Sequence, residues 1–261
     1  DGGDSNPSIG GGVLFHRERD SMAFALMKEN TNPNARPKGE ILLINKPYGW
    51  SSFQAVKKVR YVTRAKKVGH AGTLDPLASG LLIICTEQQT KGIQAIQDAE
   101  KEYEGTITLG ATTPSYDMET EPNAHFPTEH ITHELIYATT QQFLGEISQI
   151  PPLFSALKVD GKRAYTLARQ GDTTVLKSRT ITIYDFEITR IEMPEIDFRV
   201  RCSKGTYIRS LAFDFGKALN AGGYLSRLVR TKIGEHHLEN AVPPNEFEIQ
   251  WKAKNPRPEG E

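Results

Sequence analysis

Cysteine is scarce, neither charge is in excess, and long hydrophobic runs are missing from this 261-residue sequence. Its two cysteines, Cys85 and Cys202, each lie in an apolar segment, which is typical of small buried side chains in a reducing compartment and argues against a disulfide framework. No apolar run approaches the ~20 residues that a membrane span needs, and no signal peptide is visible. We therefore expect a soluble, cytoplasmic protein without a membrane partner.

Charge is balanced over the whole chain but concentrated locally. Lys plus Arg and Asp plus Glu each number 32, so the formal net charge is zero, whereas a nucleic-acid-binding protein often carries a basic excess. The stretch 52–67 nevertheless contains no acid. Its basic residues are Lys57, Lys58, Arg60, Arg64, Lys66 and Lys67. A basic helix face is most often simply solvated, but this one leads into a glycine-rich stretch, so contact with phosphate groups is the alternative.

Composition divides the chain into three parts. Residues 1–37 are rich in Gly, Ser, Asn and Asp at their start, so we expect a disordered or weakly structured extension with a short helix at 15–29. The main domain runs from 38 to 240, and residues 241–261 form a short tail. Alternating strands and amphipathic helices in the main domain predict an α+β fold with mostly antiparallel pairing.

Local signals place the individual elements. Ser51 and Gln54 have the spacing of a capping box, and Thr132 and Thr206 are each predicted to cap a further helix. The first of these helices has an apolar face formed by Ala55, Val56, Val59 and Val62. Strands are predicted at 41–44, 81–85, 106–109, 178–192 and 196–203, a hairpin turn at 160–161, and short helices at 163–170 and 224–229.

The glycine-rich stretch 69–82 contains one proline and a single carboxylate. Pro76 fixes its own φ and pushes Asp75 out of the helical region, while the glycines permit conformations that other residues avoid. We therefore expect Asp75 on a stiff, irregular loop that feeds a buried strand. The alternative on local physics is that Asp75 caps a short helical turn with Pro76 at its first position.

Two further residues are candidates for the same site. Arg209 falls in the first turn of a predicted helix, where the macrodipole disfavours a cation unless an anion is near. It can point to solvent, or its flat guanidinium can hold the Asp75 carboxylate and keep it ionised. Tyr103 lies just before a predicted strand, and its ring is either half buried there or available to stack on a base with the hydroxyl free for proton transfer.

Longer blocks of the sequence carry a family resemblance. The stretch Gly-His-Ala-Gly-Thr-Leu-Asp-Pro-Leu-Ala-Ser-Gly-Leu-Leu at 69–82 closely resembles, without a gap, the catalytic motif of the TruB-type tRNA pseudouridine synthases. The stretches 101–103 (Lys-Glu-Tyr) and 203–211 resemble two more blocks of that family. Together with weaker matches, the resemblance covers about 39–234, which is nearly the whole of the predicted main domain.

The resemblance implies a reaction, which is the isomerisation of one tRNA uridine to pseudouridine at position 55 of the T-loop, after the base is flipped out. In this reaction Asp75 acts as the covalent nucleophile and Arg209 pairs with it, while Tyr103 stacks on the uracil and removes the proton at C5. No metal, redox group or other cofactor is implied. The implied partner is the T-arm of tRNA, and we expect a monomer with no obligatory protein partner.

Weaker matches imply the residues that hold the substrate. The stretch 42–49 resembles the opening motif of the family, with Asn45 where aspartate is commoner. The block 224–228 resembles the one whose leucine packs in the uracil pocket. The residues implied to contact the substrate are His70, Leu225, Tyr207, Lys46 and Lys91.

The resemblance also implies an architecture. We expect the pseudouridine-synthase fold, a mixed, mostly antiparallel central sheet with flanking helices and the site in a central cleft. The segment 126–174 looks like the inserted region that clasps the RNA arm. Few residues follow Gly234, too few for the C-terminal PUA module of many members, so we expect limited contacts beyond the T-arm.

Two rival functions remain open from the sequence. A catalytically silent RNA-binding or RNA-folding protein could use the same basic surfaces, although Asp75, Tyr103 and Arg209 argue against it. A metal hydrolase could use His125, His130 and His133. Those histidines lie in an acidic polar segment, where a solvated loop is the favoured interpretation.

Overall fold

The structure is a computed structural model that describes residues 37–155, 158–159, 162–163, 166 and 176–258. Residues 38–261 form one compact unit. The extension 1–36 with its predicted helix, and nearly all of the predicted helix at 163–170, lie outside the described residues.

The described part of the chain alternates between strands and helices, as the sequence predicts. The strands are β1 (Ile41–Lys46), β2 (Val68–His70), β3 (Ser79–Thr86), β4 (Lys101–Leu109), β5 (Ala111–Thr112), β6 (Ala124–His125), β7 (Gly145–Gln149), β8 (Lys158–Val159), β9 (Lys162–Arg163), β10 (Arg179–Glu192), β11 (Glu195–Cys202), β12 (Gly223–Ile233) and β13 (His236–His237). The α-helices are α1 (Ser52–Thr63), α2 (Ile93–Asp98), α3 (His133–Thr140), α4 (Ile208–Ala218) and α5 (Pro244–Lys254). Short 3-10 helices lie at Glu87–Gly92, Gln141–Phe143 and Leu238–Asn240.

One large sheet organises the domain. Its strand order is β1-β3-β12-β4-β11-β10-β7, with β2 paired to β3 and β13 paired to β12. Every pairing is antiparallel except that of β12 with β3. The sheet is therefore mixed and mostly antiparallel, which confirms the predicted fold class. The strands β8 and β9 also pair, as the Asp-Gly signal at 160–161 predicts.

A close backbone approach joins the two halves of the sheet. Gly80 in β3 lies opposite Arg230 in β12 and has a φ of +110°. A Cβ at this position would lie 2.4 Å from the carbonyl oxygen of Arg230, so a residue with a side chain would push the strands apart. The glycine therefore lets the end of the glycine-rich stretch meet β12.

Helix α1 forms as its sequence predicts. The Ser51 hydroxyl accepts from the Gln54 amide and the Gln54 side chain accepts from the Ser51 amide, which completes the capping box. The apolar residues that the sequence assigns to the inner face of α1 are all buried against the sheet. On its flank α1 packs against α5, where Phe247 and Trp251 join the same core and Lys58 pairs with Glu248. The predicted short tail thus contains a packed helix.

The larger core lies between α4 and the sheet. Its helix side is formed by Ile208, Leu211, Ala212 and Phe215, the residues predicted for the inner face of this helix. Both cysteines are buried and free, as predicted. The predicted cap is wrong, because Tyr207 occupies the N-cap position and the Thr206 hydroxyl donates instead to the carbonyl of Ser203.

Two sequence predictions about the adjacent strands β12 and β4 need correction. The helix predicted at 224–229 does not form, because this stretch belongs to β12 and pairs with β4. Leu and Arg favour a helix locally, but pairing along a buried strand outweighs that preference. Tyr103 does not precede a strand either, since it lies within β4 and is 8% exposed.

Candidate active-site cleft

Asp75 lies on the irregular loop between β2 and β3, as the sequence predicts. The loop backbone is stabilised by hydrogen bonds at both ends of a turn, since the Ala78 amide donates to the Asp75 carbonyl at 2.9 Å and the Gly49 amide donates to the Pro76 carbonyl at 2.7 Å. No helix begins at Pro76 in this described stretch, so the alternative of a helix cap is wrong.

A buried hydroxyl and a buried cation hold this loop from opposite sides. The Ser52 hydroxyl at the start of α1 donates to the Leu74 carbonyl and accepts from the Leu74 amide, both at 2.9 Å. Arg230 in β12, which is 2% exposed, donates to the carbonyls of Gly72 and Thr73 at 3.2 and 3.3 Å. Because these contacts are to the backbone, they fix the path of the chain that carries Asp75.

Asp75 and Arg209 meet as the sequence predicts. The Nε of Arg209 lies 3.0 Å from Oδ2 of Asp75, and the Arg209 side chain is 6% exposed whereas that of Asp75 is 44% exposed. The Nη1 of Arg209 donates to the carbonyls of Ser115 and Phe154. The cation is therefore fixed inside the protein, while the carboxylate remains open to a ligand.

Tyr103 lies near the same carboxylate. It is paired in register with Arg230 across β4 and β12. Burial raises the pKa of the Tyr103 hydroxyl, and the positive charge of Arg230 opposes that rise. The resting hydroxyl is thus protonated at neutral pH, with a cation beside it that favours the anionic form.

These residues line one cleft of about 740 Å³. This volume is within the range of small-molecule sites. Besides Asp75, its lining includes Gly72, Thr73, Leu74, Tyr103, Tyr207, Ile208, Arg209, Leu228 and Arg230. A second group of lining residues is polar and consists of Gln94, Gln97, Asp98, Lys101 and Lys204. The cleft thus combines apolar and aromatic side chains, a carboxylate and a polar group of residues.

Tyr207 and Leu225 lie on different sides of Asp75. Tyr207 lies on the cleft wall with the guanidinium of Arg179 over its ring, 5.4 Å from the centroid, and burial raises the pKa of the Tyr207 hydroxyl. Leu225 lines a smaller recess on which Asp75 and Arg209 also border, together with the exposed side chains of Tyr48 and Met118.

The three remaining residues implied by the resemblance do not line the cleft within the described part of the chain. Lys46 is fully buried, and its Nζ donates to the carbonyls of Pro47 and Trp50 at 3.0 and 2.6 Å. Burial lowers the pKa of Lys46 to about 8. His70 ends β2, and burial lowers the pKa of its imidazole. Lys91 is exposed on the 3-10 helix beside β2.

Sequence reasoning missed three residues of the site. Arg230 and Leu228 line the cleft, and Asp117 lines the recess beside Asp75. Burial raises the pKa of the Asp117 carboxyl, and the nearby Arg209 acts in the opposite direction. Recognition of β12 as a strand would have pointed to Arg230, because register then places it opposite Tyr103.

The histidines of the rival metal site take other positions. His130 lies with Nε2 2.8 Å from the Leu219 carbonyl oxygen. Among the described residues, no group of three or more His, Cys, Asp or Glu side chains is arranged to hold a metal ion. Within the same residues, no helix has both the length and the apolar character that crossing a membrane requires.

Comparison with protein families identifies relatives over most of the chain. Residues 60–208 match the family described as TruB family pseudouridylate synthase (N terminal domain). A tRNA pseudouridine synthase B of Flavobacterium johnsoniae is 58% identical over 223 residues, which cover 83% of this chain and 97% of that protein. The protein of the same name from Bacteroides fragilis is 53% identical and covers 82% and 94%, and that from Chlorobium chlorochromatii is 42% identical and covers 84% and 88%.

Solved structures with a similar fold are also known. The archaeal box H/ACA sRNP Nop10–Cbf5 complex contains a chain that is 27% identical with a TM-score of 0.61, over 82% of this chain and 54% of that one. A Cbf5–Nop10–Gar1 complex contains one that is 28% identical with a TM-score of 0.64, over 88% and 63%. This chain spans a little over half the length of those chains. The family match and the high identity to whole relatives establish that this protein belongs to the TruB family of pseudouridylate synthases.

Proposed function

We propose that this protein converts a uridine of tRNA to pseudouridine, and that its target is the T-loop uridine at position 55. The name tRNA pseudouridine synthase B, which its relatives bear, supports a tRNA substrate. One observation carries the proposal for the site: Asp75 pairs with Arg209 at 3.0 Å on the wall of a cleft that also contains Tyr103. The protein acts in the cytoplasm, as a monomer.

Asp75 is the nucleophile in this proposal. One of its oxygens is held by a buried guanidinium, and its side chain is 44% exposed, so the other oxygen can reach a substrate. Attack at C6 of the uracil and attack at C1′ of the ribose both fit such a carboxylate, as does assistance to glycal formation. In each route the N1–C1′ bond breaks, the uracil rotates, and a C5–C1′ bond forms.

The proton balance follows from the change of bond. Carbon C5 loses its proton when it becomes bonded to C1′, and N1 gains one when it is released, so the reaction is redox-neutral. Tyr103 gives its hydroxyl proton to N1 of the released uracil and then, as the tyrosinate, takes the proton from C5, with its ring stacked on the uracil. Arg230 supports this role, because its positive charge favours the tyrosinate that burial disfavours.

The target base must leave its stack before any of these steps. Enzymes that act on a base within folded RNA turn the nucleotide out into a pocket, at a cost of a few kcal/mol. In this protein the flipped uracil packs against Leu228 and Tyr207 on the cleft wall. The ribose and the neighbouring phosphates then lie toward the polar lining residues, which include Lys101 and Lys204.

Tritium release separates this function from a catalytically silent RNA-binding protein. The substrate is an unmodified tRNA transcript labelled with tritium at C5 of uridine. We expect one equivalent of tritium to be released to water per tRNA, and a transcript with cytidine in place of the T-loop uridine to release none above background. Binding of the labelled tRNA without release would contradict the proposal.

A further inference from the structure

The outward face of α1 combines aromatic rings with cations. Phe53, Lys57, Arg60 and Tyr61 fall within an arc of about 100° at the helical spacing of about 100° per residue. Arg64 follows as the C-cap residue, with a left-handed backbone, and the five residues are here called the α1 face. All five are exposed, and the two rings strongly so, at 65% for Phe53 and 69% for Tyr61. None of these five side chains belongs to the core, since the buried residues of α1 lie on the opposite face of the helix.

The charge of this face is not balanced locally. No acid occurs between residues 52 and 67. Lys58, which lies to one side of the α1 face, pairs with Glu248 of α5. Within the described part of the chain, none of the three cations of the α1 face pairs with an acid, and Lys57 instead lies 5.7 Å from the ring centroid of Phe53. The face is therefore both electropositive and aromatic.

The position of the α1 face connects it to the cleft. At the start of α1, Ser52 makes both of its hydrogen bonds to Leu74 of the Asp75 loop. Beyond the end of α1, Glu87 accepts from the Lys66 amide and donates through its own amide to the Lys67 carbonyl. Phe53 and the C-cap residue Arg64 are eleven positions apart, which corresponds to a rise of about 16 Å at the helical rise per residue. The face thus leads away from the site over a distance of several nucleotides.

From these observations we infer that the α1 face binds the substrate RNA outside the cleft, with Lys57, Arg60 and Arg64 contacting phosphates and an unpaired base stacking on Tyr61. Rings interleaved with cations form the platform by which proteins hold single-stranded nucleic acid. The inference rests on the proposed function, because a tRNA seated in the cleft supplies the strand. A balanced net charge fits this arrangement, since only a local positive surface is needed.

Two kinds of variant test the inference in the full-length protein. The charge variant is Lys57→Glu combined with Arg64→Glu, and its control is Lys217→Glu, which reverses an exposed charge in the last turn of α4. The ring variants are Tyr61→Ala and Tyr61→Phe. Each is assayed for kcat and KM with an unmodified tRNA transcript at several salt concentrations, and circular dichroism confirms that each is folded.

The expected result is a change in KM alone. We expect the double charge reversal to raise KM at least about tenfold, with kcat unchanged at saturation. The plot of log(kcat/KM) against log[salt] has a negative slope, and its magnitude should fall by about 1.5. Tyr61→Ala should raise KM about fivefold, and Tyr61→Phe should match the original protein because it keeps the ring. The control should change neither parameter.

Other outcomes overturn the inference without affecting the proposed function. An unchanged KM and salt slope in the charge variant would show that the α1 face is merely solvated. A fall in kcat at unchanged KM would show that α1 acts through the Asp75 loop, not through RNA contact. In both cases tritium release by the original protein still decides whether it is a pseudouridine synthase.

Discussion

Asp75 and Arg209 form an ion pair in which the guanidinium is buried and held by further hydrogen bonds, whereas the carboxylate is partly exposed to solvent. Arg209 uses Nε for the Asp75 carboxylate at 3.0 Å and Nη1 for the carbonyls of Ser115 and Phe154. Because these carbonyls belong to two other loops, the guanidinium is held from more than one side. The carboxylate therefore takes its orientation from the arginine as well as from its own loop.

Removal of the arginine should impair catalysis more than binding. We predict that Arg209→Ala lowers the single-turnover rate of pseudouridine formation by about 100-fold or more, since the loss of one preorganised charge contact at a reacting group costs that much. Arg209→Lys keeps the charge but loses the fork, and should give an intermediate rate. The matched control is Arg199→Ala, which removes an arginine from an ion-pair network outside the cleft. Equal rates for the two alanine variants would contradict the prediction.

The hydroxyl of Tyr103 should be needed for proton transfer alone. Tyr103→Phe keeps the buried ring in β4 and removes the group whose pKa burial raises. We predict that tritium release from C5 slows by about 100-fold or more while tRNA affinity is retained. Tyr224→Phe, a tyrosine of the adjacent strand, is the control and should leave the rate unchanged. A Tyr103→Phe protein that releases tritium at the normal rate would refute this role.

The link between α1 and the Asp75 loop can be tested with neighbouring serines. Ser52→Ala leaves both polar groups of the buried Leu74 backbone without their partner, so we predict a loss of about 1–3 kcal/mol in the free energy of unfolding together with a clear fall in kcat. Ser51→Ala removes only the helix cap and should cost about 1 kcal/mol with kcat unchanged. Denaturant unfolding and steady-state kinetics measure the two effects. Identical kcat values for the two variants would count against the link.

Gly80 should be intolerant of a side chain for a reason that also affects the site. We predict that Gly80→Ala lowers the free energy of unfolding by about 1–3 kcal/mol and lowers kcat, because the new Cβ meets the backbone of Arg230, which holds the Asp75 loop. The control is Gly92→Ala, because no other atom of the described residues lies within 4 Å of a Cβ at this position. That variant should lie within about 0.5 kcal/mol of the original protein. A fully active Gly80→Ala protein would contradict the proposed role of Arg230 in holding the Asp75 loop.

Much of the site could be predicted because its signals are local. The proline and glycines around Asp75 restrict the backbone within a few residues, and the capping box of α1 is complete within four. The role of Arg209 could be predicted for a related reason, since a cation in the first turn of a helix is disfavoured unless an anion lies near it. In each case the deciding interaction is short in sequence or has a motif of its own.

The remainder depends on contacts between distant segments. The stretch 224–229 favours a helix by composition, and it becomes a strand because β4 and β3 lie on either side of it. That error concealed Arg230, whose partners Gly72 and Thr73 are far away in the sequence. Lys46 is different, because its Nζ donates to the Pro47 and Trp50 carbonyls in the turn that follows β1, which are local contacts without a motif of their own.

Product formation by Asp75→Asn tests the central claim most directly. Asparagine keeps the shape of the side chain and an acceptor oxygen for Arg209, but its amide is not a nucleophile. In a single-turnover assay with C5-tritiated tRNA, we predict tRNA binding equal to that of the original protein, with neither tritium release nor pseudouridine. Pseudouridine formed at the normal rate by the Asp75→Asn protein would contradict the account.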